Sequence, residues 1–150
     1  MRKVAIALLL VLLAACREPL STEQFVRGAG PYVFTVDMSD STAAYDFDLF
    51  TRLEGSHAEI LSLDQSALLR AEWRSPSDSV MVEKVYLPLR GERSTYYTKD
   101  IYEPYWADVR PVESGIWTLT IRPEDRAQVL PLRGMGLVIK STETDGTRKT

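Results

Sequence analysis

The sequence predicts an all-β protein: an antiparallel β-sandwich of about seven or eight strands, immunoglobulin-like or jelly-roll-like in plan. Three observations predict it. Apolar residues recur at every second position, as where Tyr45, Phe47, Leu49 and Leu53 alternate with Asp46, Asp48 and Arg52, the pattern of strands buried on one face. Turn-forming clusters such as Asp37–Ser41 and Ser75-Pro76-Ser77-Asp78 separate these runs at short intervals. Beyond the amino terminus, no long stretch keeps a helical period.

The amino terminus follows a different rule. Arg2 and Lys3 precede ten uninterrupted apolar residues, Val4 to Leu13. A helix of that length covers about 15 Å, half the hydrocarbon core of a bilayer, so the run suits a cleaved signal peptide rather than a membrane span. Leu13-Ala14-Ala15-Cys16 then sets two small residues before the chain's one cysteine. This tetrad resembles the lipobox of bacterial lipoproteins. The resemblance implies cleavage between Ala15 and Cys16, a diacylglyceryl thioether on the Cys16 sulfur and acylation of the new amino terminus. Two or three acyl chains make such an anchor effectively permanent. Arg17, where lipoproteins retained at the inner membrane carry Asp, favours the outer membrane. The tether REPLSTEQ has no dense acidic run to suggest surface export, so a periplasm-facing domain is expected, with exposure at the surface left open.

Removing residues 1–15 leaves 135 residues, one domain that buries about two-thirds of its unfolded surface. Arg2 and Lys3 leave with the signal, so the formal charge moves from −3 to about −5. A mildly acidic chain with no basic run is a poor partner for nucleic acid. With Cys16 the sole cysteine, no intramolecular disulfide is possible, and the core alone must hold the fold.

Residues 16–31 read as the lipidated cysteine and a flexible tether, because Pro19, Gly28, Gly30 and Pro31 discourage regular structure. The sandwich itself is expected over residues 32–141. Tyr32 to Val36 is aromatic and β-branched, hence a strand. The strand around Tyr45 to Leu53 follows, with Phe50 and Thr51 breaking its alternation. Residues 58–74 admit two readings. Ile60, Leu63, Ala67, Leu68 and Ala71 fit a helical stripe, whereas Ala67, Leu69, Ala71 and Trp73 alternate as a strand does. Two short strands are preferred, because Ser75–Asp78 turns the chain into the β-rich run Val80 to Leu87. That run is apolar on both faces, which predicts a central strand. A long irregular link is expected from Gly91 to Ser114. Gly115 opens a strand in which Trp117, Leu119 and Ile121 alternate with Thr118, Thr120 and Arg122. Pro131 to Lys140 makes the last strand, with Met135, Leu137 and Ile139 on one side, and residues 142–150 form a polar, disordered tail.

Catalysis finds little footing here. His57 is the sole histidine, in the turn-like Leu53-Glu54-Gly55-Ser56-His57, and Gly-Ser-His is not a nucleophile elbow. Asp46 and Asp48 are neighbours on one face of a strand, about 7 Å apart, which suits a solvated face. Asp37, Asp40, Asp46 and Asp48 lack the spacing, central Gly and terminal Glu of a calcium loop. No catalytic residue, metal site or cofactor is expected. The distinctive composition is Tyr96-Tyr97-Thr98-Lys99-Asp100-Ile101-Tyr102-Glu103-Pro104-Tyr105-Trp106, with five aromatic residues in eleven positions. Tyr96, Tyr97, Tyr102, Tyr105 and Trp106 suit either a protein interface or the stacking of a glycan, and some of them could instead cover a sheet edge or plug the end of the sandwich.

Taken with the tetrad at Cys16, three further segments resemble the gliding-motility lipoprotein H family of small bacterial lipoproteins. They are AYDFDLFTRLE, SPSDSVMVEKVYLPL and the finish SGIWTLTIRPEDRAQVLPLRGMGLVIK, with Leu132, Gly134, Gly136, Leu137 and Ile139 in the family's closing pattern. The resemblance implies a non-catalytic accessory of gliding or of a related secretion complex. Its expected partners are the membrane, through the lipid, and another cell-envelope protein. The alternative is a carbohydrate-binding outer-membrane lipoprotein.

Overall fold

Eight strands make up the computed structural model, which describes residues 20–56, 58–59, 66–89, 98–125 and 132–143. They are β1 (Leu20–Arg27), β2 (Tyr32–Met38), β3 (Ala43–Glu54), β4 (Ser66–Arg74), β5 (Val80–Pro88), β6 (Thr98–Val109), β7 (Gly115–Pro123) and β8 (Leu132–Glu143). One sheet runs β1–β8–β3–β6, the other β2–β7–β4–β5, and every pairing is antiparallel. Except for the β4–β5 hairpin, each connection crosses from one sheet to the other. This strand order is that of an eight-stranded jelly roll, the second of the two plans the sequence allows.

The period-two pattern places the core where the sequence predicts it. Phe34 and Val36 of β2, Phe47 and Leu49 of β3, Leu69 and Trp73 of β4, Leu119 and Ile121 of β7, and Met135 and Leu137 of β8 are all buried between the sheets. Thr51 also points inward, and its hydroxyl donates to the Gly134 carbonyl at 2.7 Å, so a polar side chain is satisfied there. Phe50 points the other way, onto the outer face, yet is only 1% exposed. It lies in a row that crosses the whole sheet, with Phe25 and Phe50 both opposite Gly136 and Tyr102 opposite Phe50. A Cβ at Gly136 would overlap the Phe50 ring, and one at Gly134 would meet the Phe25 ring and the Val26 carbonyl. The glycines of the closing motif therefore clear space for aromatic rings on the outside of the sheet.

Five expectations need correction. Residues 20–27, assigned to the tether, form β1, paired with β8 from Leu20↔Ser141 to Arg27↔Gly134. β1 is an edge strand with Gln24, Phe25 and Val26 half-buried, so it lacks the apolar alternation that marks a strand in sequence. Residues 98–109, assigned to the irregular link, form β6. Its alternation is hidden by a bulge and by Pro104, which an edge strand tolerates. Residues 66–74 form one strand, with Ala67, Leu69, Ala71 and Trp73 inward, and residues 60–65 lie outside the described part. β5 is an edge strand and not a central one: Val80, Met81 and Val82 are each nearly half exposed. The polar tail begins later than expected, since β8 continues to Glu143, and residues 144–150 lie outside the described part.

The hairpin over Ser75–Ser79 is the turn the sequence predicts. Ser75 and Ser79 pair through the backbone, and Asp78 takes a left-handed conformation with φ 72°.

Candidate functional site

The two sheets bring β1 beside β2 on one side of the sandwich and β5 beside β6 on the other. These sides are finished differently. On the first, the Gln24 side-chain amide donates to the Thr35 carbonyl at 2.6 Å and accepts from the Thr35 N–H at 3.3 Å. A side chain thus imitates a neighbouring strand and covers the β2 edge. On the second side a cavity of about 340 Å³ separates β5 from β6, lined among others by Glu83, Tyr86, Leu87, Glu103, Tyr105 and Trp106.

The structure divides the aromatic cluster. Tyr105 is the extra residue of the β6 bulge, between the pairs Asp48↔Pro104 and Phe47↔Trp106. The bulge lets consecutive residues Tyr105 and Trp106 both reach the core, where a regular strand would send one outward. Trp106 stacks on Trp73 with centroids 5.2 Å apart and planes 9° apart, and Tyr105 stacks on Trp106 at 5.0 Å and 18°. Trp73 Nε1 donates to the Tyr105 hydroxyl at 2.9 Å, and that hydroxyl donates to the Glu83 carboxylate. Burial, then the bond to Glu83, hold the Tyr105 phenol well above its ordinary pKa, so it stays a donor. One hydrogen-bonded chain thereby links β4, β6 and β5 across the open side. Tyr105 and Trp106 thus stack in part on other rings while they line the cavity.

Tyr102 points to the opposite surface, outside the β1–β8–β3–β6 sheet, and is 51% exposed. It stacks on Phe50 at 4.9 Å, and Phe50 stacks on Phe25 at 5.6 Å. The Arg52 guanidinium lies 5.5 Å from the Phe25 ring centroid and holds Asp100 through two hydrogen bonds of 2.8 and 3.0 Å. The hydrogen bond from Arg52 lowers the Asp100 pKa. The bridge therefore contributes fully above the ordinary aspartate range and is lost as pH falls through the lowered folded value. Asp100→Asn is expected to destabilise the protein slightly at pH 7, since both side chains are partly solvated. Urea titrations at pH 7 and pH 3 should show the gap between wild type and variant closing in acid; a gap independent of pH contradicts this origin.

Tyr96, Tyr97, Ala15, Cys16 and His57 lie outside the described residues. The structure thus brings Tyr105 and Trp106 together and sets Tyr102 apart from them. It also adds surface residues that sequence reasoning overlooks. Among the described residues, nine large apolar side chains are exposed, and five belong to β5 and β6: Val80, Met81, Val82, Tyr86 and Tyr102. The apolar triplet 80–82 is visible in sequence, but an apolar run reads as burial unless the strand's position in the sheet is known.

The carboxylates have structural partners. Asp48 binds Lys140 Nζ at 2.6 Å, and Asp46 accepts from the Asp108 backbone N–H at 2.7 Å. Asp37 and Asp40 accept from the hydroxyls and then from the backbone N–H groups of Ser39 and Thr42, which lowers both pKa values. Among the described residues no group of three potential metal ligands gathers, and no helix is long and apolar enough to cross a membrane. Compared with protein-family models, the sequence matches none, and compared with curated proteins it again finds no match.

Proposed function

We propose that this protein is a non-catalytic, lipid-anchored binding module of the outer membrane, facing the periplasm, that docks another envelope protein on the β5/β6 side of its jelly roll. The observation that carries this reading is the largely apolar β5 edge. Exposed sheet edges are normally blunted by charge, proline, bulges or a cover. β6 has Pro104 and the Tyr105 bulge, and β2 has Gln24. β5 has a single exposed cation, Lys84, and a Pro88 only at its end. Along the rest of its length it presents Val80, Met81, Val82 and Tyr86 on the free edge of the sheet, suited to receiving an extended strand. Aromatic and apolar groups at 45–64% exposure supply the anchors such an interface needs. The lipid at Cys16 confines the module to two dimensions, raising its effective concentration for a partner on the same membrane, so a modest interface suffices. The resemblance to gliding-motility lipoproteins supports an accessory role of this kind.

A protein partner is favoured over a glycan because Tyr105, Trp106 and Phe50 are engaged in stacking within the protein, which reduces the ring surface left for a sugar. The test is recovery of the partner from cells by cross-linking and affinity purification. Val82→Glu combined with Tyr86→Glu should abolish recovery while leaving the melting transition nearly unchanged, since both side chains face solvent. Undiminished recovery overturns the assignment, and saturable binding of wild type to a glycan array would favour the carbohydrate reading.

A further inference from the structure

The correction to β1 changes the geometry of the anchor. Three residues, Arg17 to Pro19, separate Cys16 from Leu20, where the first strand begins, so four Cα-to-Cα steps join the two. Fully extended they reach about 14 Å, whereas a free tether through residue 31 would reach roughly 50 Å. The end of the sandwich nearest the lipid is therefore fixed by topology. Leu20 pairs with Ser141, Ser141 with Tyr45 and Tyr45 with Val109. The start of β1, the start of β3, the end of β6 and the last turn of β8 thus share one end, which also holds the loop over residues 110–114.

This end carries apolar groups in water. Val112, in that loop, is 100% exposed, Leu20 is 75% exposed, and Ile116, near the start of β7, is 50% exposed. With the five on β5 and β6, they account for all but Val33 of the exposed large apolar side chains among the described residues. The same end is acidic, with Asp37 near the close of β2 and Asp40, Asp78 and Glu113 in its loops, each hydrogen-bonded within the protein. Charge therefore gives it no attraction to anionic lipid, and contact with a bilayer would be imposed by the short connection to the anchor.

We propose that the jelly roll stands end-on upon the bilayer, with Leu20 and Val112 entering the interfacial layer of the lipid and the β1–β2 turn pointing away. This rests on the reading of Cys16 as lipidated. Leu20 and Val112 are the right kind of group for this layer: small, exposed, uncharged apolar surfaces. The seven-residue rise from Leu20 to Arg27 sets the far end about 24 Å above the near one. The β5 edge then runs up from the membrane and faces sideways, towards partners embedded in the same leaflet.

The test uses full-length lipidated protein reconstituted into phosphatidylethanolamine/phosphatidylglycerol vesicles. Val112→Cys and, at the far turn, Ala29→Cys each carry an environment-sensitive fluorophore. A lipidated Cys16 is a thioether, so each variant should titrate one thiol. With nitroxide-labelled lipid, the Val112 probe should be quenched at least twofold more than the Ala29 probe. One titrating thiol with equal quenching at the two positions overturns the end-on orientation while sparing the anchor. Two titrating thiols overturn the anchor itself, and the orientation with it.

Discussion

A chain beginning at Tyr32 is expected not to fold, whereas one beginning at Arg17 is expected to fold as a cooperative, soluble domain. The first eleven or so residues of difference look dispensable in sequence, but they hold the β1 ladder with β8 and the Gln24 cover over the β2 edge. Removing them exposes β8, whose Met135, Leu137 and Ile139 are core residues, as a bare edge strand. It also removes Phe25 from the stack over Phe50, a ring otherwise almost wholly buried on the outer face. The combined loss approaches the whole stability of a domain this size, about 5–15 kcal/mol. Circular dichroism and urea unfolding of the two chains decide the matter. Equal midpoints for both would show that β1 is an accessory arm and that the sandwich begins at β2.

The single side chain with the largest expected effect is Trp73. It is the largest fully buried residue and touches four rings: Phe47, Tyr105, Trp106 and Trp117. It is also the donor that completes the chain through Tyr105 to Glu83. Trp73→Ala should cost about 3–5 kcal/mol, from lost transfer energy and an unfilled cavity, and lower the thermal midpoint by roughly 10 °C or more. Trp117, half-buried and bonded to the Glu113 carbonyl, is the comparison. Trp117→Ala should cost distinctly less. Comparable losses at the two positions would contradict the view that Trp73 organises the open side of the sandwich.

Much of the fold is legible in the sequence for a simple reason. Where a strand has one wet face and one dry face, its period records which residues point inward, as in β2, β4 and β7. Legibility fails where that record is blurred. β1 borders one strand and lacks apolar alternation, so the prolines and glycines that flank it, Pro19, Gly28, Gly30 and Pro31, dominate the appearance of the segment. β6 is interrupted by Pro104 and by a bulge that turns two consecutive aromatic residues inward. β5 misleads in the opposite sense, because three apolar residues in a row look buried and are exposed. The candidate site inherits these failures. The aromatic cluster stands out in composition, but composition does not say that Tyr105 and Trp106 are a wedge tied to Glu83, that Tyr102 faces the far surface, or that Val80, Val82 and Tyr86 supply the free surface.

The connection between fold and proposed function therefore runs through an edge strand. A jelly roll leaves four sheet edges, and this chain covers or interrupts three of them: β1 by its polar outer residues, β2 by Gln24, and β6 by Pro104 and its bulge. The fourth is apolar and lies along the cavity side. Fold alone does not assign an activity, but a largely apolar sheet edge is the kind of surface that the proposed role requires, one able to accept an extended strand in register.

The most direct measurement is site-specific photo-cross-linking in living cells, with a photoreactive residue placed at Tyr86 on β5 and, as control, at Val33 on β2. The two positions are similarly exposed, at 64% and 52%, and lie on opposite edges of the same sheet. The account predicts a discrete cross-linked species from position 86 and none from position 33. The same adduct from both positions, or from position 33 alone, would contradict it.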